Sequence, residues 1–222
     1  MFGLPASTLV NRRIPKTKFY EKLQADHHLK ELFVRQIDAI VWKHKLSQET
    51  IHLPPGGDVE EIQIFEIHLK EPSCSHDLLR SIDRAIPYPI LHVLVYGDQV
   101  KLAIAHKERN RSDENRAVVH AYYETDWQPA DRVHLYFLQA VDLKAVYENM
   151  IRQLLPNKTR PETDLATALE RQARIDRLKK ECERLESKIR KEKQFHIKVE
   201  LNRELQLKKK ELQELFDEGS EE

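Results

Sequence analysis

The stretch 90-ILHVLVYGDQVKLAIAHKE-108 decides the fold class. Two runs rich in β-branched residues flank Gly97-Asp98, a pair suited to a tight two-residue turn whose first position is left-handed. The stretch is therefore read as a β-hairpin with Tyr96 opposite Gln99. Working upstream, 59-VEEIQIFEIHLKE-71 alternates with a period of two, Gln63, Phe65, Ile67 and Leu69 on one face and Ile62, Ile64, Glu66, His68 and Lys70 on the other. That is a strand. Between the two lies a helix over 75–85, capped by Ser75 or Asp77 and stopped before Pro87.

Downstream, 117-AVVHAYYET-125 reads as a third clear strand, and 133-VHLYFLQ-139 as a fourth or fifth. Helical spacing returns over 142–154, where Leu143, Val146, Tyr147, Met150, Ile151 and Leu154 form one stripe. Near the start, Leu29, Leu32, Phe33, Ile37, Ile40 and Val41 recur at threes and fours, which predicts an amphipathic helix from Leu29 to Trp42. Thr17 is a candidate cap for a short helix before it. The sum is an α+β domain over residues 1–155, with a mainly antiparallel sheet of four to five strands and flanking helices.

Residues 156–161, bounded by Pro156 and Pro161, read as a hinge, and the last five residues as an acidic, disordered tail. Between them, 162–217 predicts a long helical arm, since from Glu162 to Phe216 there is neither glycine nor proline. Leu178, Cys182, Leu185 and Ile189 fall on heptad core positions, and Val199 continues the register across the polar positions Glu192 and His196. So narrow a stripe needs a partner: a second copy, the arm folded back on itself, or another protein.

Composition narrows the function classes. Apolar residues make up 40% of the 222 and charged residues 33%, which suits a normal core joined to an extended solvated element. The formal charge is zero, yet residues 1–46 hold nine Lys/Arg against four acids. Two cysteines, Cys74 and Cys182, without C-x-x-C spacing exclude a disulfide framework and a zinc ribbon. No apolar run is long enough for a membrane span or a leader, so the expected location is the cytoplasm. Five glycines leave no nucleotide-binding loop, and no Gly-x-Ser-x-Gly elbow occurs.

Three constellations carry candidate chemistry. His92, His106, His120 and His134 recur every 14 residues, but the hairpin register sets His92 opposite Ala103, and the spacing fits no zinc pattern. No metal site is expected from them. Glu66, His68 and Lys70 lie on alternate strand positions, with Asp58 or Glu60 at the strand's start. An acid, a second acid and a lysine on strands is the arrangement of a magnesium nuclease, so Glu66, Lys70 and Asp58 define a divergent-nuclease alternative with magnesium as cofactor. His68 is the wrong ligand type for that hard ion, and the same residues fit a solvated strand face. Last, 11-NRRIPKTKFY-20 interleaves basic and aromatic residues, which makes Asn11, Arg12, Arg13, Lys16 and Lys18 candidates for phosphate contact.

The strings 7-STLVNRRIPKTKFYE-21, 82-IDRAIPYPILHVLVYGDQVKLAIAHKE-108 and 193-KQFHIKVELNRELQ-206 resemble an uncharacterised bacterial family, the domain of unknown function numbered 4391. The resemblance spans nearly the whole chain. It implies neighbourhood with helicase and DNA-methyltransferase genes in restriction-modification or phage-defence clusters, and no activity. The expectation is a non-enzymatic accessory or adaptor subunit without a cofactor. Its partner, met through the arm, would be a second copy or a helicase- or methyltransferase-type subunit, with DNA as a further candidate ligand.

Overall fold

A computed structural model describes residues 3–110, 113–134, 136, 138–157 and 164–217, the side chains of 109, 110 and 113–116 excepted. The chain divides into two compact units, 1–156 and 157–222.

In chain order the first unit runs β1 (Leu9–Arg13), α1 (Lys16–Leu23), α2 (His27–Gln36), β2 (Ile37–Leu46), α3 (Gln48–Ile51), β3 (Ile62–Leu69), α4 (His76–Ala85), β4 (Ile90–Tyr96), β5 (Gln99–Asn110), β6 (Asp113–Glu124), β7 (Gln128–Pro129) and α5 (Leu143–Leu154). The strands form one seven-stranded sheet in the order β1-β2-β3-β4-β5-β6, with β7 pairing β5. The class is α+β as expected, but the sheet is larger than four to five strands and it is mixed. β3 and β4 run parallel, because α4 lies between them in sequence and carries the chain back to the starting edge.

The 90–108 hairpin forms in the expected register, Tyr96 opposite Gln99 and His92 opposite Ala103, with Gly97 at φ +60° in the turn. Two expectations fail upstream. The helix stops at Gln36, and Ile37 begins a ten-residue strand. Ile37 and Ile40 are both fully buried, and a register shift between Ile37 and Ala39 lets residues three apart serve the same core. That bulge imitates helical spacing in the sequence. Thr17 caps nothing: α1 starts at Lys16 behind Pro15, a residue preset for a first turn. The strand expected over 133–139 falls partly outside the described residues, and its described positions are not strand.

One sheet face is covered by α1, α2 and α4, where Phe19, Phe33, Ile37, Phe65, Ile67, Leu78, Leu79, Ile82 and Leu94 share a core. Ser75 caps α4 by accepting from the Asp77 amide. α5 packs against β5 and β6, and Asp142 caps it by accepting from the Ala145 amide at 2.8 Å. Its stripe, Leu143, Val146, Tyr147, Met150, Ile151 and Leu154, is buried.

The second unit is a helical hairpin, α6 (Leu165–Lys191) and α7 (Phe195–Asp217). α6 is roughly 40 Å long at 1.5 Å per residue. The chain turns at Glu192, whose backbone is extended and whose Oε1 accepts from the amides of Lys193 at 2.7 Å and Gln194 at 2.8 Å. A carboxylate thus satisfies amides freed by the break, and no glycine is needed. The helices run antiparallel: Ile175 and Leu178 pack against Leu212 and Leu215, and Cys182 and Leu185 against Leu201 and Leu205. No described helix is long and apolar enough to cross a membrane.

Candidate functional site

The first candidate from sequence, the basic segment, falls on β1 and α1. β1 is the edge of the sheet, and Asn11 sits at φ +47° in a register shift before Arg12. Asparagine tolerates that left-handed geometry better than most residues. Asn11, Arg12, Arg13 and Lys18 are exposed. Lys16 differs from them: its Nζ donates to the Ile37 carbonyl at 2.6 Å. Burial, then the charges of Lys70 and Arg13, push its pKa below the ordinary lysine value, with Asp38 offsetting part. Lys16 ties α1 to β2.

Of the nuclease alternative, no hydrogen bond or ion pair joins any two of Glu66, Lys70 and Asp58 among the described residues. Glu66 is ion-paired to Lys43 at 3.2 Å and lies 2.8 Å from His68 Nε2, beside a cleft of about 340 Å³ also lined by His44 and Val93. Lys70 instead donates to the Val34 carbonyl at 2.8 Å. Asp58 is exposed in the turn that closes between Gly56 and Val59. Among the described residues, no three His, Cys, Asp or Glu are grouped so as to hold a metal ion.

The arm residues meet the seam of the hairpin in part. Leu178 packs with Ile175, Leu212, Leu215 and Phe216, and Cys182, Leu185 and Ile189 pack with Leu201 and Leu205. Val199 does not join them: it is 52% exposed. The polar positions Glu192 and His196, where the heptad pattern weakens, lie at the turn and at the start of α7. The register therefore restarts there rather than running through.

The most organised polar group was not singled out from sequence. Asp83 on α4, His92 on β4 and Lys107 on β5 are buried together under the sheet. Lys107 Nζ donates to Asp83 Oδ1 at 2.9 Å, to the Asp83 carbonyl at 3.3 Å and to the Ile86 carbonyl at 3.0 Å. Three acceptors match the three N–H bonds of an ammonium, so the lysine is charged. Asp83 Oδ2 accepts from Tyr122 Oη at 2.5 Å and lies 2.9 Å from His92 Nε2, which therefore carries the proton. Burial alone would raise the Asp83 pKa. The Lys107 charge, His92 and the Tyr122 hydroxyl outweigh it and hold the carboxyl well below the usual range. Burial pulls Lys107 below its ordinary value, and Asp83 offsets part of that. Beside them, Tyr147 Oη donates to the Ala105 carbonyl at 2.6 Å and accepts from the Lys107 amide at 2.9 Å. The signal in the sequence is a lone histidine inside ILHVLV and an aspartate directly after Ile82 on the apolar stripe of α4.

This centre reaches the surface through Tyr122, whose ring stacks on His76 at 5.3 Å between centroids. His76 lines a cleft of about 420 Å³ with Cys74, Leu94, Lys101, Glu124 and Trp127. The cleft opens at the carboxyl end of β3, where a chain entering a parallel crossover leaves space above the sheet. Glu124 is ion-paired to Lys101 and hydrogen-bonded to His76 Nε2 at 2.8 Å. Cys74 is no nucleophile there. Burial, then the Glu124 charge, push its thiol up to about 12, and Lys101 offsets only part. The cleft can hold a ligand; its acid and base neutralise each other.

The family model described as "Domain of unknown function (DUF4391)" matches residues 2–212, and the chain belongs to that family. No curated protein and no solved structure matches it.

Proposed function

We propose that this member of the DUF4391 family is a non-enzymatic accessory subunit of a DNA-modifying or phage-defence complex, acting by binding rather than turnover. The observation that carries the reading is how the carboxylates suited to chemistry are engaged. Glu66 faces Lys43 and His68, Glu124 faces Lys101 and His76, and Asp83 is closed in by Lys107, His92 and Tyr122. A general base or metal ligand needs a lone pair free for substrate or ion, and here each carboxylate is engaged by neighbouring side chains, Asp83 in full burial and Glu66 and Glu124 in the walls of their clefts.

The binding half is supported by the hairpin. Its seam is filled from its own two helices, while Phe195, Val199 and Leu207 stay exposed. That leaves its outer surface, not its seam, for another subunit. The partner class, helicase- or methyltransferase-type, follows from the family resemblance, and a place in the cytoplasm fits the two free cysteines. Arg12 and Arg13 on the edge strand and Lys18 on α1, all exposed, offer positive charge to DNA phosphates.

Co-expression with helicase- and methyltransferase-type subunits, followed by purification on a tag carried by this chain, tests the reading. Co-elution that weakens in Val199→Ser/Leu207→Ser supports it. Magnesium- or manganese-dependent cleavage of plasmid DNA by the purified chain, abolished in Lys70→Ala, would overturn it in favour of a nuclease.

A further inference from the structure

The turn of the hairpin concentrates positive charge. Between positions 187 and 198 stand Lys188, Arg190, Lys191, Lys193 and Lys198 against one acid, Glu192. Along the body of the hairpin cations face carboxylates across the helices: Arg174 on Glu211, Lys208 on Glu181, Lys209 on Glu186. At the turn the five cations are exposed and no ion pair is formed by any of them among the described residues. Glu192, the local acid, has its carboxylate on the backbone amides of Lys193 and Gln194.

Phe195 stands among these charges, 81% exposed. Lys198 and Val199 follow it at three and four residues, so the ring and the Lys198 ammonium share one face of α7. Complementing the negative end of a helix dipole explains Lys188, Arg190 and Lys191 in the last turns of α6. It does not explain Lys193 and Lys198, which adjoin the positive end of α7, where a cation is disfavoured. Nor does it explain a large aromatic ring left in water beside them.

Cations around an exposed ring are what a flexible polyanion with stacking bases requires. We infer that the turn of the hairpin is a contact site for single-stranded nucleic acid, with Lys188, Arg190, Lys191, Lys193 and Lys198 meeting phosphates and Phe195 stacking on a base. Duplex bases are stacked on each other and offer the ring no face, so the site favours single strands. The site goes beyond the adaptor reading and stands without it, since it is scored by nucleic-acid affinity and that reading by co-elution of a protein subunit.

The test is fluorescence anisotropy of the full chain with a labelled 20-nucleotide single strand and the matching duplex across a range of salt. The single strand binds more tightly, with a log–log salt slope near −0.7 per phosphate contact, so about −3.5 for the five cations. Reversal of three, Lys188→Glu/Lys191→Glu/Lys193→Glu, flattens that slope by about 2 and weakens binding tenfold or more at low salt. Phe195→Ala weakens single-strand binding about fivefold or more and leaves the slope unchanged. The pair Arg12→Glu/Arg13→Glu, measured beside them, keeps the Phe195→Ala effect and the single-strand preference intact. Unchanged far-ultraviolet circular dichroism confirms that each variant folds. No binding at low salt, or an affinity and slope that the triple reversal leaves alone, overturns the inference.

Discussion

Asp83 and Lys107 meet at 2.9 Å, one on α4 and the other on β5, with 0% and 1% of their side chains open to water. The pair locks the crossover helix onto the far half of the sheet. Its two members are not equivalent. Among the described residues the Lys107 ammonium bonds to one side chain, Asp83, and otherwise to carbonyls, whereas Asp83 also holds His92 and Tyr122. Removing the acid leaves a buried ammonium, an imidazole and a hydroxyl without their acceptor. Removing the lysine leaves the acid with two donors. We expect Asp83→Ala to cost about 3–5 kcal/mol in urea unfolding, the usual penalty for an orphaned buried charge. Lys107→Met should cost measurably less. Equal losses would mean that the histidine and tyrosine bonds add nothing.

Stability should fall with acid in two stages. Burial and then the Lys43 charge depress the His44 pKa, with Glu66 offsetting part. Burial and then the stacked His120 depress that of His106, with Glu108 and Glu148 offsetting part. In both cases the unfolded chain takes the proton first as pH drops. Stability is therefore present above the ordinary histidine value of 6.5 and is lost as pH falls through it toward the lower folded values. Asp83 adds a second stage. Its folded pKa lies below the unfolded one, so its contribution holds above about pH 4 and fades below it. Urea midpoints at pH 8, 6, 5 and 3.5 measure both stages. His44→Gln/His106→Gln should flatten the first without touching the second.

The parts of the fold that were legible in the sequence are those where local pattern and tertiary demand agree. The 90–108 hairpin has its turn chemistry, its β-branched runs and its burial all in one segment, and it forms in the expected register. β2 is the opposite case. Its bulge gives Ile37 and Ile40 a helical spacing, and only pairing with β3, which begins at Ile62, makes the segment extended. The sheet's mixed order was hidden for the same reason, since strand direction is set by how α4 crosses over and not by any residue in the strands. The buried centre left a fainter trace. His92 in an apolar strand and Asp83 on an apolar helix face are each a single polar intrusion, and Lys107 lies a further strand away. Nothing local states that the three meet.

The hairpin arm makes its own prediction. Leu205 is buried against Cys182 and Leu185, whereas Val199 is half exposed one and a half turns earlier. Leu205→Ala should destabilise the hairpin by about 2–5 kcal/mol. Val199→Ala should stay within about 0.5 kcal/mol of the parent. Thermal melts followed at 222 nm separate the two. Because the seam is closed within one chain, light scattering should give a monomer for the full protein, and a dimer that dissociates in Leu205→Ala would show the two helices pairing between copies instead.

Cys74 offers the sharpest check on the cleft. Its thiol lies beside Glu124 in a partly buried wall, and its pKa stands at about 12. At pH 8 a thiol with that pKa is ionised in about one molecule in ten thousand, against roughly a quarter for an ordinary cysteine of pKa 8.5. The thiolate is the reactive species, so the native chain should react with a disulfide reagent far more slowly than free cysteine does. Cys182, buried in the hairpin seam, should be slow for lack of access. In denaturant both thiols should titrate at once, giving two equivalents. Glu124→Gln removes the second cause of the shift while leaving burial, the first, in place, so it should speed the Cys74 reaction only modestly. A fast, single-equivalent reaction in the native protein that vanishes in Cys74→Ser would mean that the cleft activates the thiol, and the site would then have to be read as a centre for nucleophilic chemistry rather than for binding.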